Sequence, residues 1–189
     1  MERKPTPTSL APAVFAYGVA CVVALAALPH LQAPLQTFTA EHAGGILLGR
    51  DPLQGLLWGL AAGVALGATG QGFTRWTAWG RRLDRLLTRI LGGLHPADAV
   101  LLAALSGLGE ELVFRGLVLP YGGLAVSSGL FGLAHLIPRR GLWPWSVWAV
   151  AAGFGLGWLA LASGGLLAPI IGHFVVNAVG LLLVSGRPR

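Results

Sequence analysis

The chain has 189 residues, of which 54% are hydrophobic and only 11% are charged, and it carries a formal net charge of +6. Together with a mean hydropathy of +0.71, this composition excludes an ordinary soluble domain and indicates a membrane protein. The arginines lie between apolar segments, so we assign the positive charge to anionic lipid and to topology, and we expect no nucleic-acid partner.

Six apolar segments reach or approach the roughly 20 residues that an α-helix needs to cross the hydrocarbon core. They are residues 9–29, 53–70, 98–119, 123–138, 143–163 and 166–185. The fourth is short, and its inclusion depends partly on the distribution of basic residues. We therefore predict an all-α, polytopic membrane helix bundle of about six transmembrane helices. It forms one integral membrane domain over residues 1–189, with a tail at residues 1–8.

Basic residues outside the spans fall almost entirely on one side of a six-span topology. That side holds Arg3, Lys4, Arg75, Arg81, Arg82, Arg85, Arg89, Arg139, Arg140, Arg187 and Arg189. The opposite side holds only Arg50, and omission of the fourth span would move Arg187 and Arg189 to it. Because cytoplasmic loops carry the excess of lysine and arginine, we expect both chain termini in the cytoplasm.

Residues 73–93 form a segment of a different kind, in which Trp76, Trp79 and several leucines recur at helical spacing among arginines. Tryptophan and arginine on one amphipathic helix are typical of a helix that lies on a membrane surface. We therefore predict a cytoplasmic interfacial helix that contacts anionic lipid through the region Arg75–Arg89. A docking surface for an acidic or lipidated substrate is the alternative.

The glycines Gly55, Gly59, Gly63 and Gly67 recur at every fourth residue along the second span. Such ladders of small residues let helix backbones approach closely in lipid, where packing drives association. We expect this ladder to pack against another helix of the same chain. A homodimer is the alternative, and the sequence leaves the oligomeric state open.

Ionisable residues within membrane spans are rare and usually face a protein interior or a watery cavity. Three of the predicted spans contain such residues or a strong amide: Glu110, Glu111 and Arg115 in the third, His135 in the fourth, and His173 and Asn177 in the sixth. Glu111 and Arg115 are four residues apart and share a helix face, so we predict a buried ion pair between them. Glu110 lies about 100° round the helix and has no such partner.

The other four polar side chains lie at similar depths in the predicted bundle. With a rise of about 1.5 Å per residue, Glu110 and His173 lie roughly 18–20 Å from the cytoplasmic boundary, and His135 and Asn177 about 12–14 Å. All four fall in the middle third of a hydrocarbon core about 30 Å thick. We expect them to form one site.

The residue types of this site suit hydrolysis of a peptide bond. A carboxylate in a partly desolvated pocket can act as a general base, and a neighbouring imidazole can position water or transfer a proton. A second imidazole and an amide can donate hydrogen bonds to a developing oxyanion. The non-enzymatic alternative is a membrane binding protein or a proton or ion carrier, because buried Glu and His chains also serve as proton relays.

Three motifs carry a family resemblance: EELVFR (Glu110–Arg115), FGLAH (Phe131–His135) and HFVVN (His173–Asn177). They resemble the EExxxR, FxxxH and HxxxN motifs of the CPBP intramembrane proteases, which include the type II CAAX prenyl endopeptidases and bacterial proteins of the abortive-infection and bacteriocin-processing groups. The resemblance covers residues 98–185. It implies an intramembrane endopeptidase of a bacterial cytoplasmic membrane that acts on a membrane-bound, prenylated or leader-bearing protein.

By that resemblance, Glu110 would be the general base and His135 would help to position the catalytic water. His173 and Asn177 would form the oxyanion hole, while the Glu111–Arg115 pair would hold the helix in place. We favour a mechanism without metal or other cofactor, since the chain lacks an HExxH motif. The alternative is a catalytic zinc held by Glu110, His135 and His173, with water in the fourth position.

Overall fold

The computed structural model describes residues 10–28 and 45–188. The tail at residues 1–8 and the predicted cytoplasmic charges Arg3, Lys4 and Arg189 lie outside these ranges. Within them, the regular structure is entirely helical, which confirms the all-α, polytopic membrane class.

The described residues form nine helical elements. They are α1 (Ala11–Ala27), α2 (Gly45–Leu48), α3 (Pro52–Trp76), α4 (Ala78–Leu91), α5 (Pro96–Glu111), a π-helix (Leu112–Val118), α6 (Leu119–Ala134), α7 (Trp143–Ser163) and α8 (Leu167–Ser185). Large apolar side chains point outward, as lipid requires: Phe15, Val64 and Trp158 are 74%, 64% and 60% exposed. Exposed apolar surface of this extent is typical of a face that contacts a membrane.

Among the described residues, four helical runs are long and apolar enough to cross a membrane. They are Pro52–Trp76, Pro96–Ala134, Trp143–Ser163 and Leu167–Ser185, while α1 is apolar but has only 17 residues. The run Pro96–Ala134 contains the third predicted span and most of the fourth, which is predicted to reach residue 138, and Gly123 interrupts it with a φ of 74° and a ψ of 177°. This positive φ is accessible to glycine and bends the run where the two predicted spans meet. The total of six spans stays a prediction.

The predicted interfacial segment 73–93 begins later than expected. Residues up to Trp76 continue α3, and the amphipathic helix is α4, Ala78–Leu91. Thr77 separates the two helices because its backbone is extended and its side chain accepts a hydrogen bond from the Gly80 amide at 3.0 Å, which caps α4. On α4, Leu83 is buried while Arg81 and Arg85 are exposed, so the helix has the expected two faces.

The glycine ladder of α3 packs against α8, as predicted. A Cβ at Gly63 would lie 2.7 Å from the Gly172 carbonyl oxygen, and one at Gly59 would lie 2.5 Å from the carbonyl oxygen of Ala168. Absence of side chains at these positions lets the two backbones touch. Helix α3 therefore sets the position of α8, which carries two of the candidate site residues.

The other candidate residues are held by a second set of contacts. Helix α5 packs on α8 and on α1, and α6 packs along α7. The π-helix joins α5 to α6, and the hydroxyl of Ser127 on α6 donates to the Phe114 carbonyl within it at 2.7 Å. Glu110, at the end of α5, therefore faces a space enclosed by α1, α6, α7 and α8.

We predict that Gly63→Ala destabilises the protein by about 1–3 kcal/mol, although alanine gains up to about 1 kcal/mol in helix propensity over glycine. The cause is the clash of the added methyl with the Gly172 carbonyl, a backbone atom that cannot move without α8. Thermal unfolding in detergent measures the effect. The matched control is Gly155→Ala on α7, whose Cβ would meet nothing within 4 Å. Equal midpoints for the two variants would contradict the role of the ladder.

Candidate active site

Glu111 and Arg115 form the predicted ion pair at the centre of the site. Their side chains are both 0% exposed, and Arg115 Nη1 lies 2.8 Å from Glu111 Oε1. The guanidinium also donates to the Gly153 carbonyl at 2.9 Å through Nη2 and lies 4.5 Å from the centre of the Phe131 ring. A buried charge is tolerated only with such partners, so the pair ties the end of α5 and the π-helix to α7.

Glu111 has a further contact that the spacing of the motifs does not reveal. Its Oε1 atom lies 2.7 Å from His173 Nδ1, and the His173 side chain is only 4% exposed. With Glu111 ionised, Nδ1 carries a proton, and this N–H donates a hydrogen bond to the carboxylate. This hydrogen bond orients the imidazole so that its Nε2 atom faces Glu110.

Glu110 differs from its neighbour in that it lines the cavity. Its Oε1 atom accepts a hydrogen bond from the Tyr17 hydroxyl at 2.9 Å. Its Oε2 atom lies 3.7 Å from His135 Nε2 and 3.9 Å from His173 Nε2. Oε2 is buried and has no hydrogen-bond partner. One oxygen of this carboxylate is therefore fixed, and the other is free to bind a third group.

His135 is oriented from its other ring nitrogen. Its Nδ1 atom lies 2.8 Å from the Phe131 carbonyl oxygen, which accepts a hydrogen bond and leaves Nε2 toward Glu110. The imidazole packs 4.5 Å from the Phe131 ring and 5.9 Å from the ring of Trp145, measured between centroids. The His135 side chain is 22% exposed, more than those of Glu110 and His173.

Asn177 lies on the same cavity, one turn beyond His173. Its Nδ2 atom donates to the Ser106 hydroxyl at 2.9 Å, and that hydroxyl in turn donates to the Ala103 carbonyl at 3.3 Å. One hydrogen of the Asn177 amide is used in this contact, which fixes the plane of the amide and leaves the second hydrogen as a donor.

The cavity has a volume of about 380 Å³ and extends from the site to helix α4. Glu110, His135, His173 and Asn177 all line it, together with Tyr17 and Ser106, whereas Glu111 and Arg115 lie behind its wall. At the far end it is lined by Leu83, Asp84, Leu87 and Leu91 of α4. The structure thus brings the four predicted site residues together, while their chemical roles stay predictions.

A zinc site would require Glu110, His135 and His173 to converge on one point. Tetrahedral ligands at about 2.0–2.1 Å from a zinc ion lie about 3.3 Å from one another. The distances of 3.7 and 3.9 Å from Glu110 Oε2 to the imidazole nitrogens are longer. Among the residues that the structure describes, no group of three or more His, Cys, Asp or Glu side chains is arranged to hold a metal ion. These residues, as arranged, do not fit a zinc site.

Two polar partners in the site escaped the sequence analysis, Tyr17 and Ser106. Ser106 precedes Glu110 by four residues and shares its helix face, so the spacing could have found it. Tyr17 is on α1, far from the motifs in sequence. The sequence could have indicated Tyr17 only as a tyrosine within an apolar span, because a buried phenol usually finds a hydrogen-bond partner.

Fold and site together define an integral membrane protein of packed helices with a carboxylate, two imidazoles and an amide on one internal cavity. Residues 93–179 match the family model described as type II CAAX prenyl endopeptidase Rce1-like. This part of the chain, which contains all three motifs, is similar to that family of membrane proteases, and the match confirms the CPBP resemblance. Comparison with curated proteins and with solved structures found no match.

We predict that Arg115→Leu lowers the free energy of unfolding by about 3–5 kcal/mol, because it leaves the Glu111 carboxylate buried without its main partner. For a chain of this length the thermal midpoint in detergent should fall by about 6–20 °C. The control is Arg187→Leu, which removes an arginine from the partly exposed pair with Asp84 and should change stability by about 0–1 kcal/mol. A similar midpoint for both variants would show that the buried pair is dispensable.

Proposed function

We propose that the protein is an intramembrane endopeptidase that hydrolyses a peptide bond with a water activated by Glu110. The observation that carries the proposal is the free Oε2 atom of Glu110, which faces the Nε2 atoms of two imidazoles at 3.7 and 3.9 Å. These distances exceed a direct hydrogen bond, so the three atoms can share a water or a substrate group.

In the proposed reaction, Glu110 takes a proton from a water that His135 helps to position. The resulting hydroxide attacks the carbonyl carbon of the scissile bond, and the carbonyl oxygen becomes an oxyanion. His173 Nε2 and the free amide hydrogen of Asn177 donate to that oxygen. Glu110 then passes its proton to the leaving nitrogen as the C–N bond breaks. A base of this kind contributes about 10²–10⁴-fold to the rate, and an oxyanion donor about 10²–10³-fold.

The contact between His173 and Glu111 limits which protonation of the imidazole is compatible with a role in the oxyanion hole. Because Nδ1 donates to Glu111, Nε2 can donate to an oxyanion only when the ring carries both protons. The charges of Glu110, Glu111, Arg115 and a doubly protonated His173 sum to zero. The proposed oxyanion hole is thus compatible with burial, since each charge has an opposite neighbour.

The substrate we propose is a membrane-associated protein, prenylated or bearing a leader, because the description of the family names a prenyl endopeptidase. The cavity leads from Glu110 to α4, whose outer face carries exposed arginines. We place α4 at the cytoplasmic surface, in contact with anionic lipid, with the chain termini on that side of a bacterial membrane. The scissile segment would then enter from the cytoplasmic end.

We predict that Glu110→Gln abolishes peptide-bond cleavage, lowering the rate by at least about 10²-fold, because the amide cannot accept the proton from water. The measurement compares protein termini by mass spectrometry in membrane and secreted fractions of wild-type and variant cells. The control is Asp98→Asn, which makes a similar change at an exposed position on the same helix.

Peptide ends that depend on Glu110 but not on Asp98 would identify both substrate and cut site. If the Glu110→Gln protein is equally abundant and the termini are unchanged, the protease proposal fails. Proton or ion transport into proteoliposomes would then test the carrier alternative.

We propose a mechanism without metal and predict that chelation leaves the activity unchanged. The purified protein is treated with EDTA and with 1,10-phenanthroline, and cleavage of a peptide spanning the mapped cut site is followed. A change in the cleavage rate of less than twofold supports activation of the water by Glu110 without a metal. Loss of activity that added Zn²⁺ restores would contradict the metal-free mechanism while leaving the peptidase proposal intact.

A further inference from the structure

Tyr17 lies outside the part of the chain that matches the family model, residues 93–179, yet its side chain reaches the centre of the site. It belongs to α1, and its hydroxyl donates to Glu110 Oε1 at 2.9 Å. Both side chains line the same cavity. The contact thus joins the candidate base to a helix that carries none of the three motifs.

The hydrogen bond distinguishes the two oxygens of Glu110. Oε1 is held by the phenol, while Oε2 has no hydrogen-bond partner and faces His135 and His173. The terminal torsion of a glutamate is broad and roughly two-fold, so packing alone would not fix its rotation. A donor on one oxygen removes this freedom and keeps the other oxygen directed at the imidazoles.

Helix α1 packs against α5 next to Glu110. A Cβ at Gly109 would lie 3.5 Å from Tyr17 Cδ1 and 3.4 Å from both the Tyr17 carbonyl oxygen and Cys21 Sγ. These are ordinary van der Waals distances, so α1 packs directly against α5 beside Glu110. Tyr17 is consequently placed by helix packing as well as by its own hydrogen bond.

We propose that Tyr17 is a positioning residue, which holds Glu110 with Oε2 toward the two imidazoles, so that α1 completes the active site. This inference rests on the proposed function. Tyr17 acts through Glu110, and its effect falls on the chemical step. A purely structural role, in which the tyrosine ring packs α1 against α5, depends on the ring and not on the hydroxyl.

The test is Tyr17→Phe, which keeps the ring and removes only the hydroxyl. The purified variant is assayed on a quenched fluorescent peptide that spans the cut site found by terminal mapping. We expect kcat to fall about 10-fold or more, since hydrogen bonds to charged groups are among the stronger ones, while KM changes less than twofold. The thermal midpoint in detergent should fall by less than about 12 °C, which is the effect of losing one hydrogen bond to a charged group.

The matched control is Tyr121→Phe, which removes the hydroxyl of a tyrosine that is 47% exposed on α6 and is absent from the cavity lining. Its kcat should equal that of the wild type. An unchanged kcat for Tyr17→Phe, or a rise in KM alone, would overturn the inference. If Glu110→Gln is inactive in the same assay, such a result rejects only the role of Tyr17. Full activity of Glu110→Gln would reject the proposed function as well.

Discussion

The rest of the site depends on the contacts that the buried Glu111 carboxylate makes with Arg115 and His173. One of its oxygens lies 2.8 Å from the Arg115 guanidinium and 2.7 Å from His173 Nδ1. A buried charge is expensive without partners, so this carboxylate draws α8 toward α5 and the π-helix. The arginine in turn reaches the Gly153 carbonyl of α7. A single buried anion and its arginine thus connect four elements, α5, the π-helix, α7 and α8, and the orientation of His173 follows from this anion.

The two adjacent glutamates have different surroundings because they lie on different faces of the helix. Glu111 is fully buried behind the cavity wall, whereas Glu110 is 15% exposed and lines the cavity. The neutralised residue holds Arg115 and His173, and its neighbour has one oxygen without a hydrogen-bond partner, which faces the two imidazoles. Rotation by about 100° between consecutive helical residues is sufficient to produce this division.

The sequence predicted what short-range spacing and hydropathy determine. The Glu111–Arg115 pair follows from a separation of four residues, the helical class follows from apolar length, and the ladder at Gly63 follows from small-residue spacing. The contacts of Glu110 with Tyr17 and of Glu111 with His173 join residues far apart in the chain, so no spacing rule reveals them. The sequence analysis missed the helix boundary at Thr77 because the apolar pattern of α3 runs into the amphipathic pattern of α4 without a gap. The boundary is set by the extended backbone of this single residue.

Because a π-helix follows Glu111, the geometry of the site depends on the number of residues in this segment. A π turn holds an additional residue, and its carbonyls are less completely paired within the helix, which is why the Ser127 hydroxyl on Phe114 is valuable in a lipid environment. Removal of one residue between Leu112 and Val118 would restore α-helical pairing and turn the following helix by about 100°. His135 directly follows the last residue of that helix. Natural or engineered insertions and deletions should therefore be excluded from this segment, even where every motif residue is retained.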